Sequence, residues 1–421
     1  MIKINIFKRN YYVAKEKLRQ ENKFFYISIG LNICIHLFIG LVYYNPVDFV
    51  LQFEAAKLIV QGRLLYRDIG QIMFNDTILP NPQYPPFYLY SLAFYILLIG
   101  VEKISWQLVK LFLIPFSISI GVFVYYTLKN ILRDSPNKQK IALWGMNWFL
   151  LNPSTLGVIF GGYHEHFMLF WVILGLFSFR SKKYLKSGLF FGLGLLVKPT
   201  AIIYLIPLIL FMFQVKDKGI IKLGFTSGFT FLLGSLPFLI LAPQEYIYDV
   251  FLVHTTRLDN NMSLYNLYFQ DISKTIFPFI LQLLALGICF LMLYRTIEFT
   301  DYTRVIYAIF PFVSLFLLTN RILYPHYLPF LFPFLSINFF VLIESRKNLY
   351  SILGIFTGLI LFYIGEIVWV LLWMNKFWKN DPFNPLIYIS ALTALLGLFI
   401  ITILSITTLY KGQLTKNRVI I

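Results

Sequence analysis

The sequence predicts an all-α, polytopic membrane protein with about 12 transmembrane helices, and three observations carry the prediction. Of 421 residues, 58% are apolar and 13% charged, whereas a soluble domain carries roughly 45–50% and about 25%. That composition excludes a soluble enzyme. At ~20 residues per crossing, the apolar inventory fills about twelve spans. The basic residues gather in short gaps between apolar runs, the pattern of cytoplasmic loops. The formal charge of +17 is therefore assigned to a membrane face, with no nucleic acid as partner.

Residues 1–23 read as a cytoplasmic basic tail, with Lys3, Lys8, Arg9, Lys15, Lys17, Arg19 and Lys23. The run from Phe24 to Tyr44 exits into Asn45-Pro46-Val47-Asp48 without a small-residue cleavage site, so it reads as a retained first span. An outer loop over 44–104 follows. In it Phe49, Phe53, Ala56, Leu58 and Ile59 recur at helical period, as in an amphipathic interfacial helix. Pro86 to Val101 is ~16 residues, short for a crossing, and reads as re-entrant or interfacial.

The remaining spans fall near 105–128, 141–157, 166–180, 185–198, 199–214, 220–241, 276–295, 304–320, 327–343, 351–373 and 386–410. Both termini are then cytoplasmic. That side holds 25 of the 36 basic and seven of the 19 acidic residues, a balance of +18, and the remainder sums to −1. Counting 86–101 as a crossing would put the basic loops after 128, 180 and 214 outside, against the charge bias. The organisation read is a tail over 1–23, a transmembrane core over 24–343, and C-terminal helices with a basic tail over 344–421. Cys34 and Cys289 lie inside apolar runs and offer neither a disulfide framework nor a cysteine metal site.

This topology puts most chemically capable side chains on the outer face. Asp48 can cap the helix after it or, next to the membrane, act as a base. His164, Glu165 and His166 are consecutive and diverge on a helix, a poor chelate without the H-E-x-x-H spacing; a polar helix start with an inward Glu165 fits them better. Lys198, in Leu196-Val197-Lys198-Pro199, either holds a lipid phosphate or snorkels to the headgroups. Arg257 is a second phosphate candidate or a solvated rim charge. Glu366 either lines a cavity or sits where Gly365 allows close helix packing. Asn75-Asp76-Thr77 and Asn261-Met262-Ser263 match the glycosylation sequon and agree with an outer placement. No P-loop, dinucleotide fingerprint or nucleophile elbow is present.

Asp48-Phe49 after the first span, Gly62-Arg63-Leu64-Leu65-Tyr66, then Tyr84-Pro85-Pro86 opening a short helix resemble the first outer loop of GT-C fold glycosyltransferases. Asn152-Pro153, Gly161-Gly162 before Glu165, Val197-Lys198-Pro199 and Tyr324-Pro325-His326-Tyr327 continue the likeness, roughly over 43–340. The chain looks most similar to the polyprenyl-phosphate-mannose-dependent branch. The resemblance implies Asp48 as the base for the acceptor hydroxyl and Glu165 as the second acidic residue. It further implies Lys198 and Arg257 against the donor phosphate, with His164, His166, Tyr84 and His326 toward substrate. The implied partners are a polyprenyl-phosphate-linked sugar, a glycan, lipid or protein acceptor, and membrane lipids. Histidines replace the family's usual Gln or Asp beside Glu165, which leaves a divalent cation open, and no DxD motif follows Asp48.

Nucleotide sugars are cytoplasmic, so an outward-facing transferase needs a donor already carried across the bilayer. Displacement at the anomeric carbon through an oxocarbenium-like state needs one base and a stabilised leaving phosphate, and a single displacement inverts the centre. The expected activity is hexose transfer, mannose first, at the outer face of the cell membrane. A transporter or lipid flippase is the alternative from another class; it would favour internal repeats, and none is evident.

Overall fold

The computed structural model describes residues 2–42, 47–66, 72–74, 77–79, 84–100, 105–252, 277–296, 302–320, 325–345, 349–374 and 385–410. Among these residues the chain is almost wholly helical. Helix α1 (Ile2–Leu41) is continuous through the basic segment expected as a tail. Seven helices are long and apolar enough to cross a membrane, or up to eight if a bent pair counts as one. The chain is thus a multi-pass membrane protein. Most expected crossings map onto helices, but those over 185–198, 199–214 and 327–343 fall on helices of only 10–17 residues. At 1.5 Å per residue they fall short of a ~30 Å hydrocarbon layer, so helix length supports seven or eight crossings where twelve were expected.

The outer loop differs from a purely helical expectation. After α2 (Val47–Val60), strands β1 (Ile72–Phe74) and β2 (Thr77–Leu79) form an antiparallel hairpin pairing Ile72 with Leu79 and Phe74 with Thr77. Helix α3 (Pro86–Ile99) follows, begun by a proline at its first position, where no N–H is needed. Its 14 residues reach about 21 Å. One face, Tyr88, Leu89, Leu92 and Ile96, is buried, while Phe94, Leu97 and Leu98 are exposed. Packing is mainly against α2.

Next come α4 (Trp106–Lys110), α5 (Ile114–Ile131) and α6 (Lys138–Leu150). The span expected over 141–157 is broken. Pro153 disfavours helical geometry at Asn152, whose backbone is extended (φ −62°, ψ 135°). Asn152 Oδ1 accepts from the Ser154 N–H at 2.9 Å and starts α7 (Pro153–Gly161). Helix α8 (Glu165–Arg180) leaves α7 at 117°. Helices α9 (Tyr184–Val197), α10 (Leu205–Gln214) and α11 (Gly219–Leu241) follow, with α9 packed between α8 and α11. A 3₁₀ turn, Pro199–Tyr204, joins α9 to α10.

Beyond the short α12 (Pro243–Ile247) come α13 (Phe277–Thr296) and α14 (Tyr302–Thr319). The span expected over 327–343 is a 3₁₀ turn, Pro325–Phe330, and then α15 (Phe332–Ser345). Helices α16 (Leu349–Met374) and α17 (Pro385–Tyr410) close the chain as a tightly packed pair. At Gly365 a Cβ would lie 2.4 Å from the Ala394 nitrogen and the Ser390 carbonyl oxygen. Only glycine allows that approach of two backbones, the small-residue packing used where lipid removes the hydrophobic drive.

Candidate active site

The site forms where α8 begins, α9 ends and the 325–330 turn crosses them. Glu165 opens α8 and Lys198 terminates α9 in extended geometry (φ −154°, ψ 125°) ahead of Pro199. The Lys198 Nζ donates to Glu165 Oε1 at 2.8 Å, and both side chains are buried. Three rings surround the ammonium: Tyr327 at 3.8 Å, Phe330 at 5.3 Å and Tyr84 at 5.7 Å. A desolvated cation over aromatic faces is attracted to their negative centres. Each charge also sits at the favoured end of its helix, the carboxylate at an N-terminus and the ammonium at a C-terminus. Lys198 therefore does not snorkel; burial in a pair with Glu165 replaces that reading.

His164 shares Tyr84 with the ion pair. Its ring lies 4.2 Å from Tyr84 and 5.2 Å from Tyr88, with Gln52 Nε2 3.4 Å from Nδ1. His166 lies near Phe149, at 6.1 Å between ring centroids. All three residues are buried where α8 starts, with His164 at the position before its first residue, a polar helix start. Among the described residues, no group of three or more His, Cys, Asp or Glu could hold a metal ion.

Asp48 is in the first turn of α2, and its side chain lies outside the described atoms. Gln52, one helical turn later and so on the same face, meets His164. The Phe49 ring rests on Gly162, where φ is +69° and a Cβ would stand 2.4 Å from the ring. A residue with a side chain there would be strained and would push α2 away. Glycine at 162 thus holds the α2 N-terminus against the Glu165 corner. His326 is within the 3₁₀ turn that delivers Tyr327 and Phe330, with its side chain also outside the described atoms. Tyr324 and Arg257 lie outside the described residues, as do both sequon asparagines.

Tyr84 is held from behind. Tyr66, at φ 70°, donates its phenol to the Tyr84 carbonyl and packs edge-on against Phe238 (5.3 Å) and Tyr246 (5.0 Å). Burial pushes the Tyr66 phenol well above its ordinary value, keeping it a donor. Lys110, which the sequence reading passed over, is buried and donates to the carbonyls of Val42 (3.1 Å) and Phe160 (3.0 Å). It ties the ends of α1 and α7 together and so fixes where the chain enters α2. Its signal was available, since a lysine in Leu108-Val109-Lys110-Leu111-Phe112 is as costly at membrane depth as Lys198. Gln52 was legible as the residue one turn from Asp48, and Tyr327 lay beside the chosen His326.

Glu366 is not part of this corner. It accepts from the Ser154 hydroxyl, while Asn152 donates to Tyr363 one turn earlier on α16. These contacts dock the C-terminal pair onto the start of α7.

The chain is 26% identical over 271 residues to GPI mannosyltransferase 1 of Kluyveromyces lactis, covering 58% of this chain and 65% of the relative. The chain is similar to mannosyltransferases. The same-named protein of Saccharomyces cerevisiae is 23% identical over 246 residues (55% and 56% covered), and that of Dictyostelium discoideum 26% over 292 (60% and 62%). The chain spans about six tenths of the length of these curated relatives. No protein-family model matches it. Among solved structures, ArnT from Cupriavidus metallidurans superposes with a TM-score of 0.47 in its undecaprenyl-phosphate-bound form, at 14% identity over 91% of this chain and 78% of that one. Its apo form gives 0.48 at 13% identity, with the same coverage. The motif order had pointed to a mannosyltransferase, and the relatives agree.

Proposed function

We propose that this chain is a membrane mannosyltransferase of the GT-C type. It moves mannose from a polyprenyl-phosphate donor to an acceptor hydroxyl, with inversion, on the side away from the basic loops. The observation that carries the reading is the buried Glu165–Lys198 pair, set beside the start of α2 in a chain similar to mannosyltransferases.

In the proposed step, Asp48 takes the proton of the acceptor hydroxyl as its oxygen bonds to the anomeric carbon. The bond from that carbon to the phosphate oxygen breaks and its electrons leave on polyprenyl phosphate. Lys198 and Arg257 stabilise the charge gathering there. Glu165 neutralises Lys198 before the donor arrives and keeps it aimed from between the three rings. His164, with Gln52, and Tyr84 form the wall next to the pair; His166 and His326 complete the residues assigned to substrate. A divalent cation is not needed for this step.

The twelve-crossing topology belongs to the same proposal. The short helices cross in a region thinned or shared by their neighbours, α3 does not cross, both termini are cytoplasmic, and the site faces out of the cell membrane. The relatives' name makes GPI the first acceptor to offer.

The test is transfer of radiolabelled mannose from polyprenyl-phosphate-mannose in membranes, wild type against Asp48→Asn, with donor depletion as control. The expected result is transfer by wild type and loss of at least a hundredfold in the mutant, within the range for losing a general base. Retained transfer by Asp48→Asn would sink the mechanism. Label moved across the bilayer without transfer would establish a flippase instead.

A further inference from the structure

At the N-terminal ends of α6 and of the apolar part of α1, the two helices part and leave a groove of about 670 Å³. Its apolar wall includes Phe24, Leu31, Leu143 and Trp144. Phe24 is 64%, Leu31 59% and Trp144 61% exposed, and the α1 wall belongs to a window that passes as a membrane span. A wall of that kind faces acyl chains.

Polar side chains line the groove as well. Ser28 and Asn147 line it, with the Ser28 hydroxyl and the Asn32 amide both donating to Asn147 Oδ1, at 2.7 and 2.8 Å. Gln139 lines it as well, is buried, and has no hydrogen-bond partner for either amide atom among the described residues. Lys140 lines the rim and is exposed. Lys23 precedes Phe24, and Lys138 donates to the Arg133 carbonyl at 2.7 Å. Acids near this end include Glu21, two residues before Lys23, Asp134, beside Arg133 at 3.7 Å, and Glu344, which accepts from the Ser135 hydroxyl. Lys140 is the cation that lines the groove itself.

We propose that this groove is a binding site for an anionic glycerophospholipid. The phosphate sits against Lys140, the glycerol esters lie over Gln139 and Ser28, and an acyl chain lies on Phe24, Leu31 and Trp144. Basic pockets between helices at the cytoplasmic end are suited to anionic headgroups, and a tryptophan at this depth marks the headgroup level. A lysine at the rim beside an unpartnered buried amide and an exposed apolar wall is the pairing of charge and apolar surface that an anionic lipid presents. The inference is independent of the proposed activity, because it concerns another part of the molecule and its readout is binding.

The full chain in nanodiscs of phosphatidylcholine is labelled with a diazirine phosphatidylglycerol probe, and labelled peptides are mapped. Labelling of 22–31 and 136–147, competed by unlabelled phosphatidylglycerol and not by phosphatidylcholine, is expected. Lys140→Ala should weaken competition about fivefold, the effect of one basic residue at a membrane surface, and Lys140→Arg should restore it. Lys140 is exposed, so neither variant threatens the fold. Equal labelling by a phosphatidylcholine probe, or no change in a folded Lys140→Ala, would overturn the site. So would capture of another polypeptide by a photoreactive residue at position 144 in native membranes, which would put a partner helix there.

Discussion

The helices around the Glu165 corner and the C-terminal pair answer the same bilayer in opposite ways. Helices α7, α8, α9 and α10 have 9, 16, 14 and 10 residues, whereas α16 and α17 have 26 each. A short helix ends inside the apolar mass, where its terminal N–H and C=O groups lack partners. Those ends attract charge, and Glu165 at the start of α8 and Lys198 at the end of α9 are the result. Long helices carry their ends outward and leave only side-chain packing within, which Gly365 against Ala394 represents. Even Glu366, well inside α16, finds its partner at the first turn of short α7. Broken helices bring ionic chemistry to depth; continuous ones supply packing.

Four perturbations break or sharpen this contrast. The largest effect is expected at the ion pair. Lys198→Met leaves Glu165 buried without its cation, which costs about 3–5 kcal/mol of stability, and mannose transfer should fall with it. The double variant Glu165→Gln/Lys198→Met should regain much of the thermal stability without regaining transfer. Recovery of both would reduce the pair to a structural role. Next, Gly365→Leu forces α16 from α17 and should cost at least about 1–3 kcal/mol, the range for overpacking. Thermal unfolding in detergent should register it, while the turnover of the folded fraction stays at wild type. A changed kcat would bring the C-terminal pair into the chemistry.

Gly162→Ala introduces a Cβ at φ +69° against Phe49. Left-handed geometry costs about 1–2 kcal/mol; transfer should drop more than stability, because the start of α2 moves. Equal losses would argue against a positioning role. The smallest effect is at Asp217, in the basic loop after α10. The Tyr184 hydroxyl donates to it and, with the Gly219 N–H, holds its carboxyl below the usual value of 3.8. Its stabilising contribution is present above that unfolded value and lost as pH falls through the lowered one. Tyr184→Phe should therefore reduce stability slightly at neutral pH, and the loss should shrink as pH falls below 3.8 and through the lowered value. A loss that does not change with pH would assign the effect to packing.

Much of the helix map was legible because apolar runs bounded by charge or proline have no other stable form in lipid. The helix over 86–99 was readable from its apolar run and the prolines that open it. The break after Leu150 was not placed, although Asn152-Pro153 was in view, because an apolar run on both sides of a proline reads equally as one kinked span. The hairpin at 72–79 was missed for want of any strong alternation in six residues. Glu165 and Lys198 were each singled out, the first as an inward carboxylate and the second as a charge at depth. Their pairing was not, since 33 residues and a whole turn of fold separate them.

Composition by itself determined that this chain is a multi-pass helical membrane protein, because a water-soluble fold has too little interior for so many apolar residues and too few charges to cover them. Residue order added a likeness to mannosyltransferases. Tertiary structure alone decided that Lys198 faces Glu165 and not the headgroups, that Lys110 ties two helix ends together, and that Gly162 seats α2. Each of these depends on the distance between segments remote in sequence, and only packing sets that distance.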